Sequence, residues 1–342
     1  MSRALAWVLG AGGLLGSHLV RAVAKGMPEA RCWRCPMPTF AWNDAPLVKL
    51  QLEEAVRLFA HAVTTGYQSW IIIWAAGCGV VGSSREALDG ETVNWRYLLH
   101  LVDIALITTP DARSGLVFMA SSAGGVYGNS PDTLLTEIST YAPISDYGRS
   151  KLEQEDFLRG WAATRNNVSY LIGRISNLYG PGQNLAKPQG LISHLSRRLI
   201  YNCPLHIFVS LDTIRDYIFA EDCAAQIVES LRFLMQSGEP PASGQGLVKI
   251  FAGEEAISLA QIVGVFTHLA NRRHPRLVSS ANSMTKEHPR HLQFRSVVAP
   301  DLRHLPRTSL GVGIHRVHQH QLALYHQGKL QPPWELESSH SR

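Results

Sequence analysis

The sequence predicts an α/β protein with a Rossmann-like, doubly wound parallel sheet and a smaller C-terminal α/β substrate domain. Short apolar runs alternate with helix-length amphipathic segments through the first half of the chain, as in parallel sheets with crossover helices. A glycine-rich turn at residues 10–16 follows the first apolar run and opens the first amphipathic segment. An apolar fraction of 45% and a charged fraction of 17% in 342 residues are typical of a folded globular protein with an ample core.

The individual elements follow from the same patterns. Uninterrupted apolar runs at residues 69–75 and 115–120 predict strands buried on both faces of the sheet. Further strands are predicted at residues 4–9 and 31–34, and another buried strand at residues 168–175. Apolar residues that repeat every three or four positions predict helices at residues 14–25, 91–107 and 146–163. Further on, the pattern predicts helices at residues 191–202, 220–235 and 259–271, the last one capped by Ser258, and strands at residues 206–209 and 248–252.

The composition changes near Gly180, which predicts a domain boundary at this point. We expect residues 1–178 to form a dinucleotide-binding Rossmann domain. Residues 179–335 are expected to form mainly a substrate-binding domain, with some of their elements returning to the Rossmann sheet.

The charge pattern argues for a small anionic ligand and against nucleic acid. The net charge is +5, and no dense run of Lys or Arg is present. No apolar segment reaches the roughly 18 residues that a membrane span needs. Five cysteines, an odd and sparse set, fit a reducing cytoplasm. Cys32 and Cys35 form a lone C-x-x-C and are expected to be plain thiols, and the histidines at 315, 318 and 320 are expected to bind no metal.

The turn with Gly10, Gly13 and Gly16 predicts a dinucleotide site, because the phosphates can sit at the amino end of the helix that follows. The acidic residue expected about 20 positions later, which would bind the adenine ribose, is missing. Arg34 stands at the end of the second strand instead. A cation there favours the 2′-phosphate of NADP, although Arg34 could also be a solvated strand end in a protein that uses NAD.

Tyr147 and Lys151 predict an acid/base site. Residues four apart share one face of a helix, so the Lys151 ammonium can lower the pKa of the phenol and hold a cofactor hydroxyl. A phenol with its ordinary pKa of about 10 is otherwise a poor base at neutral pH. Such a pair alone would be an ordinary helix face, but here it follows a nucleotide turn and a strand that ends in Ser121 and Ser122.

Several further motifs accompany these residues, in order along nearly the whole chain. They are Ala75-Ala76-Gly77, Asn94, Val126-Tyr127-Gly128, Arg174-x-x-Asn177-x-Tyr179-Gly180-Pro181-Gly182 and Arg215-Asp216-Tyr217-Ile218-x-x-x-Asp222. The ordered set resembles the extended short-chain dehydrogenase/reductases, the NAD-dependent epimerase/dehydratase family that acts on nucleotide sugars.

This resemblance implies a role for each matching residue. Tyr147 would be the catalytic acid/base, Lys151 would bind the nicotinamide ribose, and Ser122, with Ser121 as the alternative, would hydrogen-bond the reacting sugar oxygen. NAD or NADP would be bound by Gly10, Gly13, Leu14, Leu15, Gly16, Arg34, Ala75, Ala76, Gly77, Asn94, Tyr147 and Lys151. The nucleotide diphosphate of the substrate would contact Asn177, Arg215 and Arg290. Arg215 could instead form a structural ion pair with Asp216 or Asp222.

Two departures from the family pattern narrow the expected reaction. Ala123 occupies the position where such proteins usually carry Ser or Thr, four residues before Tyr127, and a small glycine insertion at Gly124 and Gly125 could bring Ser122 into its place. The Asp-Glu pair with which the sugar dehydratases of the family remove water is absent, so dehydration is disfavoured.

The expected function is therefore an NAD(P)-dependent nucleotide-sugar epimerase that oxidises a sugar hydroxyl and returns hydride to the opposite face. The alternative is an NADPH-dependent reductase of a nucleotide keto-sugar, which Arg34 favours. A non-catalytic NAD(P)-sensing protein on the same fold is a further alternative, although such proteins commonly lose the Tyr or the Lys. A homodimer is expected by analogy with relatives.

Overall fold

A computed structural model of the chain describes residues 4–37, 39–77, 79–80, 82–109, 112–187, 189–207, 210–236, 246–269, 277–279, 291–299 and 305–334. The described strands are β1 Ala4–Leu9, β2 Ala30–Cys32, β3 Ser69–Trp74, β4 Ser114–Ser122, β5 Val168–Ile175, β6 Asn177–Tyr179, β7 Leu205–Ile207, β8 Ile214–Arg215, β9 Tyr217–Phe219, β10 Gly246–Phe251, β11 Ile257–Ser258 and β12 Leu277–Ser279. The described helices are α1 Leu14–Gly26, α2 Ala45–Gly66, α3 Arg85–Val102, α4 Ala123–Val126, α5 Asp146–Ala163, α6 Leu191–Ile200, α7 Ala220–Gln236, α8 Leu259–Leu269 and α9 Leu310–His326, and a π-helical segment, Asp103–Ile107, extends α3.

The central sheet contains six strands in the order β10-β5-β4-β3-β1-β2, and every neighbouring pair is parallel. The four inner strands β1, β3, β4 and β5 bury both of their faces, whereas the edge strand β2 is only partly buried. In β1, for example, Trp7 packs with α2, α3 and α5 on one face, whereas Val8 packs with α1 and α7 on the other. The predicted fold class, a doubly wound α/β sheet, is confirmed.

A second apolar cluster lies among α6, α8 and α9 and is the core of the smaller lobe. Tyr179 and Phe219, from the short parallel pair β6 and β9, contribute to it. Two elements from the C-terminal half join the central sheet instead: β10 pairs with β5 at one edge, and α7 packs on the face that α1 covers. The boundary at residues 178 and 179 stays a prediction.

Several elements differ from the sequence expectation. The helix α2 was not predicted, although Asp44 caps its amino end by accepting a hydrogen bond from the amide of Leu47, 3.0 Å away. Helix α3 begins earlier than predicted because Ser84 accepts a bond from the amide of Ala87 at 3.3 Å. Strand β2 ends at Cys32, two residues early, because the amide of Trp33 makes the last bond to β1.

In the C-terminal half, Ser258 caps α8 as predicted, by accepting a bond from the amide of Gln261 at 3.2 Å. The histidines at 315, 318 and 320, interpreted from the sequence as a solvated helix face, lie on α9, whose bounds were not predicted. None of the helices in the described part of the chain is long and apolar enough to cross a bilayer.

Candidate active site

The glycine-rich turn leaves no room for side chains at two of its positions. Gly10 has a φ of +84°, and a Cβ there would lie 2.5 Å from the carbonyl oxygen of Ala75. A Cβ on Gly16 would lie 2.0 Å from the carbonyl oxygen of Gly10. Both contacts are far shorter than atoms tolerate, so the close passage of the turn, α1 and the end of β3 requires glycine.

The amino end of α1 is suited to a phosphate. Its N-cap residue is Gly13, and no side chain caps the first turn. The first amides of a helix lack intrahelical acceptors and carry a partial positive charge, so they favour an anion. Of the two other predicted cofactor residues in this turn, Leu15 is buried in the sheet core and Leu14 is half-buried, so their contribution would come from the backbone amides.

A cavity of about 640 Å³ opens at this turn, within the usual size range of small-molecule and cofactor sites. Its lining includes half of the predicted cofactor residues: Gly10, Gly13, Ala75, Ala76, Gly77 and Asn94. The close-packed glycines, the uncapped helix and this cavity together fit a dinucleotide. Arg34 is different, because it is exposed in the loop after β2 and is not among the lining residues.

The acid/base residues converge where β4, α3 and α5 meet. Ser145 caps α5 by accepting a bond from the amide of Gly148 at 3.2 Å, which places Tyr147 in the first turn. The Nζ of Lys151 lies 5.8 Å from the centre of the Tyr147 ring. The hydroxyl of Ser122, at the end of β4, lies close enough to the Tyr147 phenol to lower its pKa. The structure therefore brings Ser122, Tyr147 and Lys151 together.

Ser121 lies in a different network. Its hydroxyl donates to the Oε1 of Glu155 at 2.6 Å, and the same carboxylate receives two bonds from the fully buried Arg174, at 3.0 and 2.6 Å. Arg174 also bonds the hydroxyl of Tyr127. Neighbouring residues of a strand point to opposite faces of the sheet, so Ser121 and Ser122 cannot both face Tyr147.

The two glycines after Ser122 form part of the short helix α4. Ser122 caps this helix, since its Oγ accepts a bond from the amide of Gly125 at 3.1 Å. A Cβ on Gly148 would lie 2.1 Å from the carbonyl oxygen of Gly125, so α4 and α5 pass each other in close contact. The glycines thus let the Ser122 turn pack directly against the helix that carries Tyr147.

Burial determines the protonation state of Tyr147. The residue is half-buried, and the burial of its phenol raises the pKa above the ordinary value, an effect that outweighs the nearby Lys151 ammonium. The Glu91 carboxylate raises the pKa further, whereas the Ser122 hydroxyl lowers it. The phenolate expected from the Tyr147 and Lys151 pair is therefore not the form that this arrangement favours at neutral pH.

Glu91 is the main residue of this cluster that the sequence analysis missed. Its Oε1 lies 2.6 Å from the Nζ of Lys151, and its Oε2 accepts a bond from the amide of Gly79 at 3.1 Å. The Oε1 of Gln154 receives a second bond from Lys151, at 3.2 Å. These contacts hold the pKa of Glu91 below its ordinary value despite its burial. Its position three residues before Asn94, on the same face of α3, was the only signal in the sequence.

Other lining residues of the cavity were also missed, and three of them come from loops. They are Trp42 and Asn43, from the loop before α2, and Lys187, from the segment before α6. The rings of Trp42 and Trp74 meet edge to face, 5.6 Å apart, so this side of the cavity is aromatic. Trp42 was missed because it lies in the loop between β2 and α2, and the sequence of this loop does not show that it folds toward the cavity.

The predicted substrate residues lie in the second half of the chain. The Nδ2 of Asn177 donates to the backbone oxygen of Asp216 at 2.8 Å, so its side chain holds β9 beside β6. Arg215 is half-buried, which lowers its pKa, and it forms no ion pair with Asp216 or Asp222. Its Nη1 donates to the backbone oxygen of Ile214 at 2.9 Å. Arg290 lies outside the described residues.

Comparison with known proteins agrees with this geometry. A model of the NAD dependent epimerase/dehydratase family matches residues 6–241. The dTDP-4-dehydro-6-deoxyglucose reductase of Escherichia coli is 37% identical over 117 residues, 34% of this chain and 36% of the reductase. The dTDP-glucose 4,6-dehydratase of Neisseria meningitidis serogroup B is 32% identical over 238 residues, 65% of this chain and 66% of the dehydratase. These alignments thus cover between about a third and two thirds of the curated relatives.

Among solved structures, a UDP-glucose 4-epimerase from Thermotoga maritima with UDP-glucose has the same fold. Its TM-score is 0.71 at 17% identity, over 94% of this chain and 99% of the epimerase. The class implied by the ordered motifs, an enzyme family that depends on NAD or NADP, is confirmed by the family match. The chain belongs to the NAD-dependent epimerase/dehydratase family.

Proposed function

We propose that this protein is a nucleotide-sugar epimerase in which Tyr147 is the acid/base. The observation that carries the proposal is the contact of Ser122 with Tyr147 directly beside the glycine-lined cavity. The two sites share a wall: a Cβ on Gly77, which lines the cavity, would lie 3.6 Å from the Nζ of Lys151.

The residues that would hold the dinucleotide fit their task. The amides at the start of α1 would bind its phosphates, Gly10 and Gly16 would let the backbone approach, and Lys151 would bind a ribose hydroxyl. When bound, the nicotinamide supplies the capacity to accept a hydride from a sugar carbon and to return it.

The side chains of the site would move the proton. Ser122 would donate a hydrogen bond to the reacting sugar oxygen and orient it toward the Tyr147 Oη. Tyr147, in its ionised form, would accept the hydroxyl proton as the carbon is oxidised, and the resulting phenol would return that proton as the carbon is reduced. Acid/base help of this kind contributes roughly 10²–10⁴-fold to the rate. One phenol suffices for both directions, so an epimerase needs no further acid or base here.

The residues next to Ser122 support epimerisation over dehydration. Ala123 is fully buried and Gly124 has no side chain, so α4 supplies no carboxylate for the removal of water. Asn177 and Arg215 would contact the nucleotide diphosphate of the substrate. No carboxylate of the described residues pairs with the half-buried guanidinium of Arg215, and this supports the assignment because such a cation suits a phosphate.

A reductase that consumes NADPH is the second candidate. Arg34 supports it, since a cation after β2 suits a 2′-phosphate, although its side chain does not line the cavity. The raised pKa of Tyr147 supports it as well, because a resting phenol is the form that donates a proton to a ketone. Identifying the nucleotide that copurifies with the protein distinguishes the epimerase from the reductase. Retained NAD indicates an epimerase, whereas an empty site that binds NADPH in preference to NADH indicates the reductase.

Substitutions at the site test the catalytic assignment. Tyr147→Phe should lower turnover of nucleotide sugars by roughly 10²–10⁴-fold and preserve cofactor binding. Ser122→Ala should lower turnover as well, and Ser121→Ala, its neighbour on the opposite face, is the matched control that should keep it. Full activity in Tyr147→Phe would refute the assignment. If no sugar is turned over by the wild-type protein but the cofactor binds, the non-catalytic sensing alternative is favoured.

A further inference from the structure

We infer that Glu91 is a positioning residue for the reaction: it anchors the Lys151 ammonium and offsets its positive charge beside Tyr147. This inference rests on the proposed roles of Tyr147 and Lys151. It starts from an ion pair that is almost completely buried, with 6% of the Lys151 side chain and 4% of the Glu91 side chain exposed. The Nζ of Lys151 and the Oε1 of Glu91 lie 2.6 Å apart.

The pair is held in place from several sides. Gln154 receives a bond from Lys151 at 3.2 Å, and its Nε2 donates to the Oγ1 of Thr92 at 3.0 Å. The hydroxyls of Thr92 and Ser150 lie 3.1 Å apart. These contacts join α3 to α5, so the position of the Lys151 nitrogen depends on the docking of a helix other than its own. The amide of Gly79, in the loop after β3, holds the other oxygen of Glu91.

The charges of Lys151 and Glu91 act on the pKa of the Tyr147 phenol in opposite directions. Tyr147 faces Lys151 from its own helix, Glu91 from α3 and the Ser122 hydroxyl from β4. Lys151 favours the phenolate, whereas Glu91 opposes it. The cation and the anion together leave little net charge, so Tyr147 keeps its proton until other charge enters the site. Without Glu91, the same lysine would act on the phenol unopposed.

Glu91 also reaches the cavity. It is one of the lining residues, and a Cβ on Gly77 would lie 3.5 Å from its Oε1. A ligand in the cavity would therefore meet the Glu91 and Lys151 pair as a unit. This location explains how one carboxylate can affect both the binding of a cofactor and the ionisation of Tyr147.

The test uses the full-length protein and two substitutions at this position. Glu91→Gln removes the charge and keeps the shape of the side chain. The ionisation of Tyr147 is followed by the ultraviolet absorbance of tyrosinate, as the difference between each protein and its Tyr147→Phe counterpart. We expect the midpoint to fall by about one pH unit, a tenfold change in the ionisation constant, because a like charge near the phenol is removed. The acid limb of the pH profile of kcat should move by a similar amount.

Glu86→Gln is the matched control, since Glu86 lies on the same helix and lines the same cavity but is exposed. It should leave the midpoint unchanged. An equal midpoint in Glu91→Gln and in the wild-type protein, both folded by circular dichroism, would overturn the inference. A purely structural role of Glu91 predicts this result, because loss of stability does not by itself move the ionisation of Tyr147.

Glu91→Asp tests the anchoring without removing the charge, and it serves as the second variant should Glu91→Gln fail to fold. The shorter side chain should displace Lys151 and weaken NAD or NADPH binding several-fold relative to the wild-type protein, with the Tyr147 midpoint near that of the wild type. Wild-type affinity in Glu91→Asp would overturn the anchoring role. The titration of Tyr147 does not require turnover, so it tests the role of Glu91 independently of the proposed function. Failure of the proposed function would instead appear as undiminished turnover in Tyr147→Phe.

Discussion

Arg174 provides a sharp test of the polar network beneath the active site. It is fully buried, and it donates two bonds to Glu155 and one to the hydroxyl of Tyr127. In Arg174→Met, the Glu155 carboxylate would remain buried without its main partner. Removing one member of a buried ion pair costs about 3–5 kcal/mol. Arg159 still lies 2.8 Å from Glu155, which favours the lower end of this range.

The loss of the bond to Tyr127 adds about 1 kcal/mol, so we expect the free energy of unfolding to fall by about 4 kcal/mol. Urea denaturation followed by tryptophan fluorescence measures the difference. Arg159→Met is the control, because Arg159 contacts the same carboxylate from a position where 27% of its side chain is exposed. That variant should lose less than about 1 kcal/mol. The reasoning is refuted if the two variants lose the same amount.

Two further predictions concern the nucleotide turn and a buried acid. Gly16→Ala should weaken NADPH binding at least about tenfold in a fluorescence titration, because its Cβ would lie 2.0 Å from the Gly10 oxygen. Gly12→Ala is the control and should bind NADPH normally, because no atom lies within 4 Å of its Cβ. Equal affinities would contradict this. Burial raises the pKa of Asp216 to about 6, so the protein should lose up to about 3 kcal/mol of stability as the pH rises from about 4 to about 7. Urea denaturation at these two pH values measures the free energy of unfolding, which should fall correspondingly less in Asp216→Asn than in the wild-type protein. If the two proteins differ by the same amount at both pH values, Asp216 does not titrate as inferred.

The features that the sequence predicted well are those that depend on residues close together in the chain. A run such as Ser114–Ser122 is apolar because both of its faces are covered, and this can be read without knowing which helices cover them. The turn from Gly10 to Gly16 and the spacing of Tyr147 and Lys151 are local as well. Their geometry follows from the turn and from the period of one helix.

The features that could not be predicted depend on contacts between distant segments. Glu91 acquires its role from Lys151, 60 residues later, and nothing within α3 indicates this partner. The choice between Ser121 and Ser122 depends on how α4 packs against α5. Whether Arg34 reaches the cavity depends on the path of the loop after β2, and that path depends on how Trp33, Phe40 and Trp42 pack against the core.

The ion pair between Glu91 and Lys151 also has a consequence for folding. Its two residues lie 60 positions apart in the chain, on helices that precede and follow β4, so the pair belongs to the long-range contacts that slow folding. A chain with its local helices and the glycine turn in place, but with α3 not yet docked on α5, would already have parts of the phosphate cradle and no working acid/base pair. Recovery of activity during refolding should therefore lag behind the recovery of helical structure, and it would report the final docking of these two helices.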